Sequence, residues 1–147
     1  MSIAQRTART NWEGSLAAGG GTVRSGSGAL DGLDVTWAAR TETPGGKTSP
    51  EELAAAAHSS CFAMALALLL GKGNTPPQRL SVEATVTLGD VDGVPTIVSS
   101  ALRVDGWVTG LDAAGFQKVV DEASALCPVS RLFAGAQVSV EAALQSN

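Results

Sequence analysis

The run EELAAAAHSSCFAMALALLL, from Glu51 to Leu70, constrains this chain more than any other feature. At 1.5 Å per residue, about twenty residues make roughly 30 Å of helix. It is apolar on nearly every side, so protein or lipid must enclose it. Its start is well marked: Ser49 suits the N-cap, Pro50 the first helical position, and Glu52 stands where a capping-box partner belongs. Gly71 marks the stop. Length alone permits a membrane span. His58, Ser59 and Ser60 in mid-run, the small alanines before them, and the lack of a second span or a juxtamembrane basic cluster favour a buried central helix and no membrane partner.

Around that helix the pattern is one of strands. The first 45 residues are punctuated by glycine, and pieces such as TARTNWEG and LDVTWAART read as an antiparallel meander of about three strands. Gly19 to Gly28 offers no Lys-Ser/Thr and opens no helix, so hairpin turns explain it better than a phosphate loop. After the loop GKGNTPPQ, Leu80, Val82, Ala84, Val86 and Leu88 alternate with polar residues, and Asp92-Gly93 turns the chain into a partner strand. Asp112 can cap a second helix with an apolar face of Phe116, Val119, Val120, Ala123 and Leu126. Pro128 disfavours helical geometry at Cys127, which puts that cysteine at a helix junction. QVSVEAAL supplies a last strand. The order βββ-α-ββ-α-β is an α+β arrangement, and 147 residues suit one domain over 1–147.

Composition removes some functions. The formal charge is −4, Lys and Arg form no cluster, and tyrosine is absent, so neither an electrostatic nor a stacking surface for nucleic acid is expected. Two cysteines, Cys61 and Cys127, are too few for a disulfide scaffold and make no C-x-x-C pair. The opening MSIAQRTARTNWEGS lacks the apolar core and cleavage site of a signal peptide, so a cytoplasmic protein is expected. Cysteines there are reduced core residues or chemically active ones.

Cys61 is the main candidate for chemistry. An arbitrary cysteine in an apolar helix is more often a small core residue. Here His58 stands three residues earlier on the same face, close enough for contact. The helix dipole is no help about three turns beyond the N-cap, so an active thiolate needs a cation from elsewhere in the fold. Bringing an ordinary thiol into the range ionised at neutral pH takes roughly 3 kcal/mol. An arginine about 4.5 Å away supplies about that at an effective dielectric near 20. Other readings stay open. Zinc on Cys61, Cys127 and His58 would gather ligands at unusual spacings. A Cys–His hydrolase lacks a group to orient the base. A non-catalytic dimeric interaction module, or a redox sensor whose cysteines are structural or regulatory, would be separated from an enzyme by thiol reactivity.

The segment TSPEELAAAAHSSCF, together with ALCPVS, NWEG, the GGGTV and SGSGAL turns and Arg40 ahead of the loop, resembles the OsmC/Ohr family of thiol-dependent hydroperoxide reductases over nearly the whole chain. NWEG and the histidine in AAAAHSSCF favour its OsmC branch. The resemblance implies an OsmC-like fold in an intertwined homodimer whose central helices pack together. It makes Cys61 the peroxidatic cysteine and Cys127 the resolving one, joined by a disulfide after a sulfenic acid. Arg40 would hold the Cys61 thiolate and Glu51 would fix the guanidinium; with Glu52 occupied at the cap, Glu51 is free to do so. Phe62 and His58 would belong to the substrate pocket. The substrates implied are organic hydroperoxides and hydrogen peroxide, in oxidative or osmotic stress defence. No metal, haem or flavin is implied, only an external dithiol, lipoylated or thioredoxin-type reductant.

Overall fold

The computed structural model describes residues 1–146. They form two compact units, one covering Met1–Leu53 and the other running from Ala54 onward. The element order keeps the expected succession and adds two short helices to it.

In the first unit, β1 (Ala8–Glu13), β2 (Gly20–Ser25) and β3 (Leu33–Val35) make an antiparallel sheet in that order. Trp12 faces Gly21 across the β1–β2 ladder. A Cβ on Gly21 would stand 3.0 Å from the Trp12 ring, the Thr10 methyl and a Val35 methyl, so only glycine lets these three side chains meet over β2. LDVTWAART does not continue as a strand. Thr36 accepts the Ala39 N–H at 3.1 Å and caps a one-turn helix, α1 (Trp37–Thr41). The alternating pattern pointed to a strand, but a threonine in extended geometry is equally a helix cap. The following loop returns to β3 through Thr48 N–H donating to Asp34 O at 2.8 Å.

The long helix α2 (Pro50–Lys72) starts as expected, with Ser49 Oγ accepting the Glu52 N–H at 3.2 Å. The capping box closes from one side only: the Glu52 carboxylate accepts from the Thr48 hydroxyl at 2.8 Å. The helix runs two residues beyond Leu70. Its burial differs from expectation. Only His58, Phe62, Leu66 and Leu70, one stripe at four-residue spacing, are buried. Ser60, Met64 and Leu68 lie on the other side, with Met64 74% and Leu68 55% exposed.

In the second unit, β4 (Arg79–Val91) and β5 (Val94–Trp107) form an antiparallel hairpin, and β6 (Gln137–Leu144) pairs in parallel with β5, leaving β5 central. Asp92 and Gly93 both have positive φ, as the tight hairpin turn demands. Between β5 and β6 lie α3 (Ala113–Leu126) and α4 (Pro128–Leu132). The α2 stripe packs with Leu102, Val104, Phe116, Val120, Ala123 and Cys127 in one core. The face of α3 is shifted from expectation: Leu126 is exposed, and Cys127 takes the next inward place after Ala123. A Cβ on Gly106 would come within 2.4 Å of the Phe116 ring, so β5 needs glycine where α3 crosses it.

Candidate active site

The site residues fall into two groups. In the first unit, Arg40 stands in the last turn of α1 and Glu51 in the first turn of α2. Arg40 donates from Nη2 to Glu51 Oε1 at 2.7 Å and from Nε to Oε1 and Oε2 at 3.0 and 3.1 Å. This side-on fork is the strong form of a carboxylate–guanidinium pair. The guanidinium also stands 5.9 Å from the Trp37 ring. Among the described residues Nη1 makes no hydrogen bond, so one edge of the cation is free for another acceptor. Arg40 sits in the wall of a cleft of about 360 Å³ whose other walls include Trp12, Leu16, Val35, Trp37 and Leu53.

In the second unit the two cysteines meet. Both are free thiols, Cys61 partly exposed and Cys127 fully buried. Cys127 closes α3 and caps α4, its sulfur accepting the Ser130 N–H at 3.4 Å. Cys61 packs against the core that contains Cys127, with the Val129 backbone and the Cys127 thiol near enough to act on its titration. Burial pushes the Cys61 thiol up; the Val129 N–H pulls it down, and Cys127 adds to the upward push. Burial therefore opposes a thiolate at this position, and a nearby cation is needed to reverse it.

His58 cannot be that cation. Its ring is fully buried, with Nδ1 2.6 Å from Ser100 Oγ and Nε2 2.7 Å from Ser130 Oγ, and Phe133 lies 5.0 Å from it. Burial lowers its pKa, so it is neutral, with one nitrogen donating and the other accepting. With both nitrogens engaged it has none to offer a metal or a thiol. Phe62, expected beside the substrate, is fully buried in the core. Ser100, Val129 and Ser130 received no role from the sequence. The one available signal was a polar residue at an inward register of β5, where Leu102 and Val104 continue the buried face.

The lowered pKa of the single histidine has a measurable consequence. The unfolded state binds its proton at about pH 6.5 and the native state only at lower pH, so stability falls as pH drops through that window. The loss is at most about 1.4 kcal/mol per pH unit. Denaturant titrations between pH 7.5 and 5.5 are expected to show this decline in the parent and a flatter profile in His58→Leu. An equal slope in both removes His58 as its source.

The model of the OsmC-like protein family matches residues 43–142, which hold both cysteines and Glu51. The chain is 38% identical over 138 residues to the peroxiredoxin OsmC of Escherichia coli K12, covering 94% of this chain and 95% of that protein. The chain belongs to the OsmC family. An organic hydroperoxide resistance protein of Xanthomonas axonopodis pv. citri is 34% identical over 92 residues, 62% of this chain and 63% of its own length. In structure, an organic hydroperoxide resistance protein OsmC of Legionella pneumophila superposes with a TM-score of 0.78, covering 99% of this chain and all of that one, at 24% identity. The OsmC fold is therefore shared along the chain even where the sequences have diverged.

Proposed function

We propose that this chain is a cysteine-based peroxidase that reduces organic hydroperoxides, and hydrogen peroxide, in stress defence. The observation that carries this reading is the unequal pair of neighbouring free thiols in one core, Cys61 partly exposed and Cys127 buried. Such a pair suits a sulfur that meets peroxide and one that only meets the first sulfur. Cys61 thiolate attacks the distal peroxide oxygen, the O–O bond breaks, and the alkoxide leaves and takes a proton to give alcohol. The Cys127 sulfur then attacks the sulfur of the Cys61 sulfenic acid, releasing water and forming the disulfide. An external dithiol, lipoylated or thioredoxin-type, returns both to thiols by exchange. The cycle asks for no metal or other cofactor and fits the reducing cytoplasm.

Arg40 supplies the charge that Cys61 lacks, and Glu51 keeps its fork oriented. The free Nη1 edge suits a peroxide oxygen or a thiolate, and the Trp12, Leu16 and Trp37 walls suit an organic tail. The working form is a homodimer. The exposed Met64–Leu68 side of α2 is apolar, and the whole of β1 is exposed, which favours cover by a second copy.

A dithiol-dependent assay with cumene hydroperoxide and hydrogen peroxide in parallel is expected to show multiple turnovers, faster with the organic substrate. The same sample should scatter light as a dimer at micromolar concentration under reducing conditions. Oxidation that stops after one equivalent, whatever the reductant, would move the assignment to a redox sensor.

A further inference from the structure

His58, Ser100 and Ser130 form a buried polar chain that peroxide reduction at Cys61 does not use. Its geometry is directional. Ser100 is fully buried on the central strand β5 and holds Nδ1 of His58. Phe133 packs against the ring. From this braced imidazole, Nε2 reaches Ser130 Oγ, and the Ser130 N–H reaches the Cys127 sulfur. Val129, in the same turn, packs with Cys61 against the core that contains Cys127, and its backbone favours the Cys61 thiolate. His58 stands one turn before Cys61 on α2, so the chain ends close to the reacting pair.

α4 is only five residues long, and so short a helix has little stability of its own. Something outside it must hold its first turn in place. We propose that the His58–Ser130 hydrogen bond clamps the Cys127 turn against Cys61 and so sets the rate of disulfide formation, without affecting peroxide attack. His58 and Ser130 are then positioning residues for the resolving step. The inference rests on the peroxidase reading above. In the resolving step the Cys127 thiol and the Cys61 sulfenic acid give a disulfide and water. When that step is slow, the sulfenic acid meets a second hydroperoxide, which oxidises it to the sulfinic acid and leaves as alcohol.

The test uses the full chain, one equivalent of cumene hydroperoxide, timed quenching with a sulfenic-acid trap, and mass spectrometry of the Cys61 peptide. In Ser130→Ala the first equivalent is expected to be consumed at the parent rate, while the sulfenic acid persists about tenfold longer, the effect of one lost hydrogen bond. Excess peroxide should then leave Cys61 as sulfinic acid. His58→Leu cuts the same bond from the other side and should behave alike. Ser130→Thr keeps the hydroxyl and should restore most of the resolving rate. Ser100→Ala leaves the Ser130 bond in place and should prolong the sulfenic acid far less.

A sulfenic-acid lifetime unchanged in both Ser130→Ala and His58→Leu overturns the clamp while leaving the peroxidase reading intact. Equal slowing of both steps, or equal effects in Ser100→Ala and Ser130→Ala, also overturns it, because that is general loosening. A parent protein that forms neither sulfenic acid nor disulfide overturns the peroxidase reading, and the clamp with it.

Discussion

Cys61→Ser is expected to reduce peroxide turnover to the uncatalysed background, because a serine hydroxyl supplies no nucleophilic anion at neutral pH. Cys127→Ser should behave differently. It should consume about one equivalent of hydroperoxide and stop with a sulfenic acid on Cys61, since the attack needs one sulfur and the resolution needs two. The asymmetry rests on access: Cys61 is partly exposed and Cys127 is fully enclosed, so peroxide reaches one sulfur and not the other. Peroxide consumption per mole, with trapping of the sulfenic acid, reads both outcomes. A Cys127→Ser protein inert to its first equivalent, beside a Cys61→Ser protein that reacts, would reverse the two roles.

The second large effect belongs to Arg40. Burial raises the Cys61 pKa, so a thiolate at neutral pH has to be stabilised by charge. In the proposed arrangement Arg40 stabilises that thiolate, and a guanidinium about 4.5 Å from a thiolate is worth roughly 3–4 kcal/mol at an effective dielectric near 20. Arg40→Ala is therefore expected to move the Cys61 titration upward and slow peroxide attack on the order of a hundredfold. Arg40→Lys should recover part of the titration and less of the rate, because lysine keeps the charge and loses the planar fork that Glu51 holds at 2.7–3.1 Å. Glu51→Ala leaves the charge and frees its direction, so it should cost less than Arg40→Ala. Ultraviolet thiolate absorbance against pH, with Cys127 replaced so that one sulfur reports, measures the titration. If Arg40→Ala leaves that curve in place, Arg40 has no part in activating Cys61.

Much of this was legible in local chemistry. Ser49 and Pro50 mark a helix start whatever surrounds them, and the alternation from Leu80 to Leu88 marks a strand with one covered face. Pro128 put Cys127 at a junction for the same local reason, and the structure has it capping α4. What escaped depends on tertiary neighbours. LDVTWAART carries a strand pattern and a helix cap at once, and the outcome turned on Thr36. The all-round apolarity of α2 did signal a need for cover beyond one small chain, but an apolar run cannot say which of its sides its own chain leaves open, here that of Met64 and Leu68. His58 could be read as a partner for Cys61 because spacing along a helix shows which residues are near and not what they bond. Ser100 and Ser130 come from distant segments and already occupy its two nitrogens.

The parallel pairing of β5 with β6 bears on how the protein is made. Parallel neighbours cannot be joined by a tight turn, and here the crossover between them contains α3, Cys127 and α4. During synthesis α2 and the β4–β5 hairpin emerge first and can form from nearby contacts, whereas the crossover closes only once Gln137–Leu144 has left the ribosome. Until then Cys61 has no second thiol beside it. A chain that stops before Gln137–Leu144 pairs with β5 therefore carries Cys61 without the neighbour that the finished core sets near it.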